Sequence, residues 1–189
     1  MIRVVYKVTG LSSLLMNNPE CMGVADSKKS PQEQAKNRAY MLKSGQLYMP
    51  APAFRKSLIT GCTGRKIGKS AAGTIVGAAV FIPDSEMKLP LMHPKTGKPI
   101  KTYQIHSIRA VVNKSGIKRH RPEVAEWACR LHLDLDEELL PLEMLTELLG
   151  ISGKMKGAGD FRIEKGGQHG RYMVELESDG AQKGKRKKK

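Results

Sequence analysis

The first recurring pattern along the chain has a period of two. Ile2, Val4, Tyr6 and Val8 alternate with Arg3, Val5, Lys7 and Thr9, which predicts a strand with one buried face, closed by Gly10. Residues 11–29 are irregular, with Asn17, Asn18 and Pro19 as turn formers. Ser30, Pro31 and Glu33 read as an N-cap, a proline at the first helical position and an acidic first turn. A helix is expected from there to about Lys43, stopped by Ser44 and Gly45. A short strand over 46–49 precedes Pro50 and Pro52, and Pro52 opens a helix carrying Phe54, Leu58 and Ile59 toward Cys62.

The pattern then loosens. Residues 61–73 are rich in glycine and lysine and read as a mobile basic loop, and 74–82 is apolar enough for strand or helix. Strands are expected over 87–92 and 101–113, joined by the turn 94–98, with 114–121 a basic turn. Alternation returns at 127–136, with Trp127, Cys129, Leu131, Leu133 and Leu135 inward. Pro141 opens a helix of Leu142, Leu145, Leu148 and Leu149, closed by Gly150. A glycine-rich loop over 153–170 leads to a last strand over 171–177. Without insertions, the order is β-α-β-β-α-β. That order is the α+β ferredoxin-like or RRM-like core, here with an insertion between its second and third strands. One such domain is expected over 1–178, with a basic insertion around 61–121 and a disordered basic tail at 179–189.

Charge changes what this core is for. The chain of 189 residues carries 33 Lys and Arg against 18 Asp and Glu, a net charge of +15, while its hydrophobic fraction of 40% is enough for a core. The excess is uneven. From Arg55 to Arg121 there are 14 bases and two acids, and from Pro122 to Ile151 one base and eight acids. A positive surface with an acidic back suits a polyanion, and nucleic acid is the usual one. Aromatics are only 5%, so contact with bases must be sparse and the phosphate backbone must carry most of the affinity. Cys21, Cys62 and Cys129 fit no metal spacing and read as reduced thiols, so neither a metal nor a cofactor is expected. No segment has the apolar length of a membrane span or a signal peptide, and a cytoplasmic setting in a bacterial, archaeal or phage-infected cell is expected. The segment Thr63 to Ser70 ends like a Walker A motif, but Thr63 stands where that motif needs glycine.

The densest chemistry lies in Gly153-Lys154-Met155-Lys156-Gly157-Ala158-Gly159-Asp160-Phe161-Arg162 and its continuation to Arg171. Glycines let a backbone approach a ligand and expose N–H groups to phosphate, and the interleaved bases add charge. A phosphate path is expected along Arg55, Lys56, Arg65, Lys66 and Lys69, with Arg119 and Arg121 as a second contact. Lys154, Lys156, Arg162 and Arg171 would clamp one end. Phe161 is a candidate for stacking on bases, and Tyr6 is either a second one or core.

The chain resembles the RAMP superfamily of CRISPR-associated proteins. The resemblance is carried by the first strand ending at Gly10 with Ser13-Leu14-Leu15-Met16 after it, and by the helix following Tyr48-Met49-Pro50. It is carried further by Gly157-Ala158-Gly159-Asp160-Phe161-Arg162 with Gly170-Arg171-Tyr172 entering the last strand. The chain is short for that group and has no evident second RRM-like unit. The resemblance implies a modified RRM fold and binding of guide RNA by a backbone-type subunit, often in a filament, within a CRISPR-type or phage-encoded ribonucleoprotein. The expected partner is single-stranded RNA, ahead of single-stranded DNA, with self-association along the strand or other ribonucleoprotein subunits. The rival reading is a metal-independent endoribonuclease. Such chemistry needs a proton acceptor for the 2′-hydroxyl and a cation for the phosphorane, and His106, His120 and His169 each lie near such groups.

Overall fold

The computed structural model describes residues 1–19, 29–112 and 115–179. The expected tail beyond Asp179, Cys21 and the tip at 113–114 lie outside the described residues. In chain order the elements are β1 (Ile2–Gly10), β2 (Leu14–Leu15), α1 (Pro31–Arg38), β3 (Tyr48–Pro50), α2 (Ala51–Gly61), β4 (Lys66–Ile67), β5 (Ser70–Ala71) and α3 (Ala72–Ala79). They continue with β6 (Val80–Phe81), β7 (Lys88–Pro90), β8 (Gln104–Val112), β9 (Ser115–Val124), β10 (Ala128–Leu135), α4 (Leu142–Met155) and β11 (Tyr172–Asp179).

The main sheet has the order β11-β1-β10-β6, with every neighbour antiparallel. In chain order these strands are last, first, third and second, and helices fill both crossings, which is the ferredoxin-like arrangement. α2 packs on α3 and α4, and α4 packs on β11. The alternation of β1 and β10 supplies the buried face: Val4, Tyr6, Val8, Cys129, Leu131, Leu133 and Leu135 are all buried. Phe54, Leu58, Leu145, Leu149 and Trp127 close the core over them. β7, β8 and β9 lie in the insertion between the second and third core strands, and β8 and β9 form a hairpin that also pairs with β2.

Four sequence expectations change. The helix expected over 30–43 begins with the Ser30/Glu33 capping box but ends at Arg38, where Ala39 turns extended. It packs on β9, held by Arg38, whose Nη1 donates to the His120 carbonyl at 3.0 Å. The basic turn expected at 114–121 is strand β9, paired along its length with β8 outside the main sheet, so its charged side chains are not required to enter the main core. The basic loop at 61–73 folds into the small β4–β5 turn and the start of α3. Finally, α4 runs through Gly150 to Met155, so Gly153 and Lys154 are helical rather than part of a loop. Tertiary packing continues the helix: Ser152 and Gly153 are buried, and the Gly153 backbone lies directly on Tyr172.

The two glycines of α4 should respond with opposite signs to alanine. At Gly150 an added Cβ meets nothing within 4 Å, so Gly150→Ala should raise stability by up to about 1 kcal/mol through helix propensity. At Gly153 the Cβ meets the Tyr172 carbonyl oxygen and ring, so Gly153→Ala should cost roughly 1–3 kcal/mol. Urea unfolding of both variants measures this, and equal responses would remove the Tyr172 contact from the account.

Candidate nucleic-acid interface

The outer face of the main sheet, where RRM domains carry base-stacking aromatics, is matched in charge. Arg3 pairs with Asp134 at 2.8 Å, Arg130 with Glu177 at 2.7 Å and Lys7 with Glu175 at 3.8 Å. Phe81, opposite Asp134 at the sheet edge and 42% exposed, and His132, opposite Val5, are the rings that share this face among the described residues. Tyr6 points the other way, fully buried, with its hydroxyl 2.7 Å from Thr146 Oγ1, so it is core and not a stacking platform. Phe54, Trp127 and Tyr172 are buried as well, as expected for Trp127.

The glycine-rich segment after α4 was expected to offer free N–H groups, and most are already in use. Ala158 N–H donates to Gly170 O, Asp160 N–H to Leu15 O and Gly170 N–H to Ser13 O, at 2.8, 2.9 and 2.8 Å. Lys165, Gly166 and Gly167 donate within the same turn. The glycines serve close packing. Gly159, at φ +85, would put a Cβ 2.7 Å from the Leu15 carbonyl, and Gly170, at φ +72, would drive one into the Ala158 carbonyl. The loop is therefore a folded clasp on β2 whose contacts with a strand must come from side chains. Phe161 is held in it at φ +44, a conformation that a residue other than glycine enters at a cost. Its half-buried ring lies 6.1 Å from that of His169.

The clasp gathers several of the expected cations. Lys56 and Arg162 line one cavity of about 220 Å³ together with Asn17, Tyr40 and Asp160. Arg162 also donates to Glu164 at 2.7 Å and to Gly159 O at 3.1 Å. Burial works against the Glu164 carboxylate, but the bond from Arg162 and the charges of Arg162, Lys156 and Lys165 outweigh it and hold its pKa below the ordinary value. Arg121 has 8% of its surface exposed, with Nε 2.8 Å from Asp160. Burial lowers its pKa, assisted by the charges of Arg119 and Arg38 and opposed by Asp160.

Other expected cations stand apart. Arg55 has a structural task, since its guanidinium donates to Val80 O at 2.8 Å and Gly77 O at 2.7 Å at the end of α3. Arg121 is likewise committed to Asp160 rather than free to take phosphate. Arg65, Lys66 and Lys69 are exposed beyond the C-terminal end of α2, whose 11 residues span roughly 16 Å. That segment follows a helix rather than a strand, which removes the Walker A resemblance. Lys154 is exposed in the last turn of α4, and Arg171 is exposed just before β11.

Of the three histidines, two meet. The rings of His106 and His169 are 5.1 Å apart at 75°. His106 Nδ1 lies 3.2 Å from Glu123 Oε2, and His169 Nδ1 lies 2.8 Å from Ser13 Oγ. Burial lowers the His169 pKa, Glu123 opposes this, and His106 and Arg121 add to it. His120 sits on the opposite pleat of the hairpin, 2.8 Å from Ser107 Oγ. Among the described residues no group of three or more His, Cys, Asp or Glu side chains is placed to hold a metal. Cys62 and Cys129 are buried free thiols, and burial alone pushes Cys129 far up.

Ser13, Glu123, Asn17, Tyr40, Tyr48 and Lys88 were missed in the sequence. A signal existed for the tyrosines: they bracket the Ser44-Gly45 turn, and Tyr48 N–H donates to Tyr40 O at 3.0 Å. The rings end 5.5 Å apart, and the Lys88 ammonium lies 5.5 Å above Tyr48. A second cavity of about 340 Å³ lies between Tyr40, Tyr48, Pro50, Met87 and Lys88.

Below its ordinary pKa of 6.5, a histidine at position 169 takes a proton in the unfolded chain that the folded chain resists. Stability therefore falls as pH drops below about 6.5 and is intact above it. His169→Gln keeps a partner for Ser13 and should flatten that fall between about pH 7 and pH 5, read as urea midpoints. An unchanged slope would assign the fall to other groups.

No family model matches the chain, and no curated protein matches it. Among solved structures the chain is similar to that titled crystal structure of Cmr6 from Pyrococcus furiosus, over 92% of this chain and 98% of that one, at 11% identity and a TM-score of 0.45. No described helix is long and apolar enough to cross a membrane.

Proposed function

We propose that this protein binds a single strand of RNA through its phosphate backbone, as a subunit of a CRISPR-type or phage-encoded ribonucleoprotein in which copies load side by side along the strand. The observation that carries the reading is the cation cluster on the glycine-rich clasp. Lys156, Arg162 and Lys165 surround the single carboxylate of Glu164, and Lys56 shares the cavity rim with Arg162. Asp160, the other carboxylate at that cavity, is taken up by Arg121, so the four bases keep an excess over Glu164, while the outer face of the sheet is offset by its own ion pairs. A strand is drawn to the clasp by these long side chains, which follow phosphates without reading bases. The domain over 1–178 is the binding unit, and the basic tail at 179–189 adds attraction.

A second reading rests on the contact between His106 and His169. One neutral imidazole takes the proton of a 2′-hydroxyl while the other, in its protonated form, gives one to the leaving oxygen. That reading requires cleavage that survives EDTA, stops with a 2′-deoxy substitution and is lost in His106→Ala and His169→Ala.

Labelled RNA of graded length, titrated across a salt series, tests the first reading. Affinity should fall steeply with salt and rise stepwise with length, with the strand intact. Lys56→Gln and Lys156→Gln should each weaken binding and reduce the salt slope by about 0.7. A double variant with unchanged affinity and slope would sink the placement of the strand at the clasp.

A further inference from the structure

The cavity lined by Lys56 and Arg162 does not end at Tyr40. Tyr40 and Pro50 line it on one side and line the second cavity on the other, so the two adjoin along a line from Asp160 to Lys88, called here the groove. We propose that this groove is a binding site for unpaired nucleobases, so that the protein holds bases as well as phosphates. The proposal rests on the RNA-binding reading and deepens it.

Three features of the groove fit a nucleobase. Its walls are flat and apolar where a heterocycle would lie, with the Tyr40 and Tyr48 rings inclined at 56° to each other and prolines beside them. At 5.5 Å the two rings pack on each other as a tilted pair, so a base would lie against their outer surfaces on the cavity side. Its lining carries polar groups: the Asn17 amide and the Asp160 carboxylate border the inner cavity. An amide offers one acceptor and two donors, the complement of the amino, imino and carbonyl groups on base edges. Its rim is cationic at both ends, with Lys56 and Arg162 at the inner cavity and Lys88 over the Tyr48 ring at the outer one. Phosphates on either side of a seated base would meet those ammonium and guanidinium groups. A purely apolar ligand would leave Asn17 unmatched, and a free phosphate would leave the tyrosines unused.

The test compares two labelled oligonucleotides of about 16 nucleotides, one intact and one of the same backbone with abasic sites throughout. The intact strand should bind about tenfold or more tightly. Tyr48→Leu and Tyr40→Leu, checked for folding by their urea midpoints, should remove most of that difference and leave the affinity for the abasic strand unchanged. In the wild-type protein, 2-aminopurine placed in the strand should change its fluorescence on binding, a readout that needs no variant. Equal affinity for both strands with no fluorescence change would overturn the groove and leave backbone binding standing. Failure of both strands to bind would overturn the RNA-binding reading itself. A base preference that survives both tyrosine variants would overturn the groove and move the contact elsewhere.

Discussion

The site depends on the approach of one backbone to another. After α4 the chain must return to the sheet as β11, and it does so by lying against β2 and the end of β1. Asp160 N–H reaches Leu15 O, Gly170 N–H reaches Ser13 O and Leu11 N–H reaches Arg171 O. At Gly159 and Gly170 there is no space for a Cβ, and φ is positive at both, so only glycine fits without strain. The contact sets Asp160 opposite Arg121 of the hairpin, Phe161 beside His169, and Arg162 over the cavity. A loop that had merely turned the chain would have left these three consecutive side chains without fixed directions.

The same contact changes how phosphate can be recognised. Backbone N–H groups that close the clasp are not available to a ligand, so the glycines do not form an anion nest. In the proposed reading the work passes to lysines, whose ammonium groups are strongly hydrated point charges on flexible stems. Such groups give affinity that is steep in salt and poor in sequence. Discrimination, where the protein has any, must come from rings and amides. The clasp supplies a half-buried ring at Phe161, and the adjacent groove supplies Tyr40, Tyr48 and Asn17.

Much of the core was legible because burial writes a period into a strand. β1 and β10 alternate cleanly, and the capping box at Ser30 marked the start of α1. What was not legible depended on distant partners. Gly150 and Gly153 look alike in sequence, yet one faces open space and the other Tyr172, and the helix passes through both. Arg55 looked like its neighbour Lys56, but one guanidinium caps the carbonyls at the end of α3 and the other side chain is exposed at a cavity. The charges of β9 looked like a loop, because a hairpin outside the core does not need an apolar face. His106 and His169 are 63 positions apart in sequence, and their meeting follows from the clasp docking beside the hairpin, which no local pattern encodes.

The distribution of pairs shows where the charge of a chain of net +15 is offset. On the outer sheet face Arg3 has Asp134 and Lys7 has Glu175 on the neighbouring strand, and Arg130 reaches past β1 to Glu177. Exposed pairs of this kind add little to stability. Their effect is on the field, since they cancel within a few ångströms and leave that face without a long-range pull on a polyanion. The acids are thus placed on the face that the RRM architecture would otherwise offer to RNA, and the clasp keeps an excess of bases around Glu164. Both arrangements favour the proposed reading, in which a strand meets the side chains that the glycine contacts have fixed rather than the sheet.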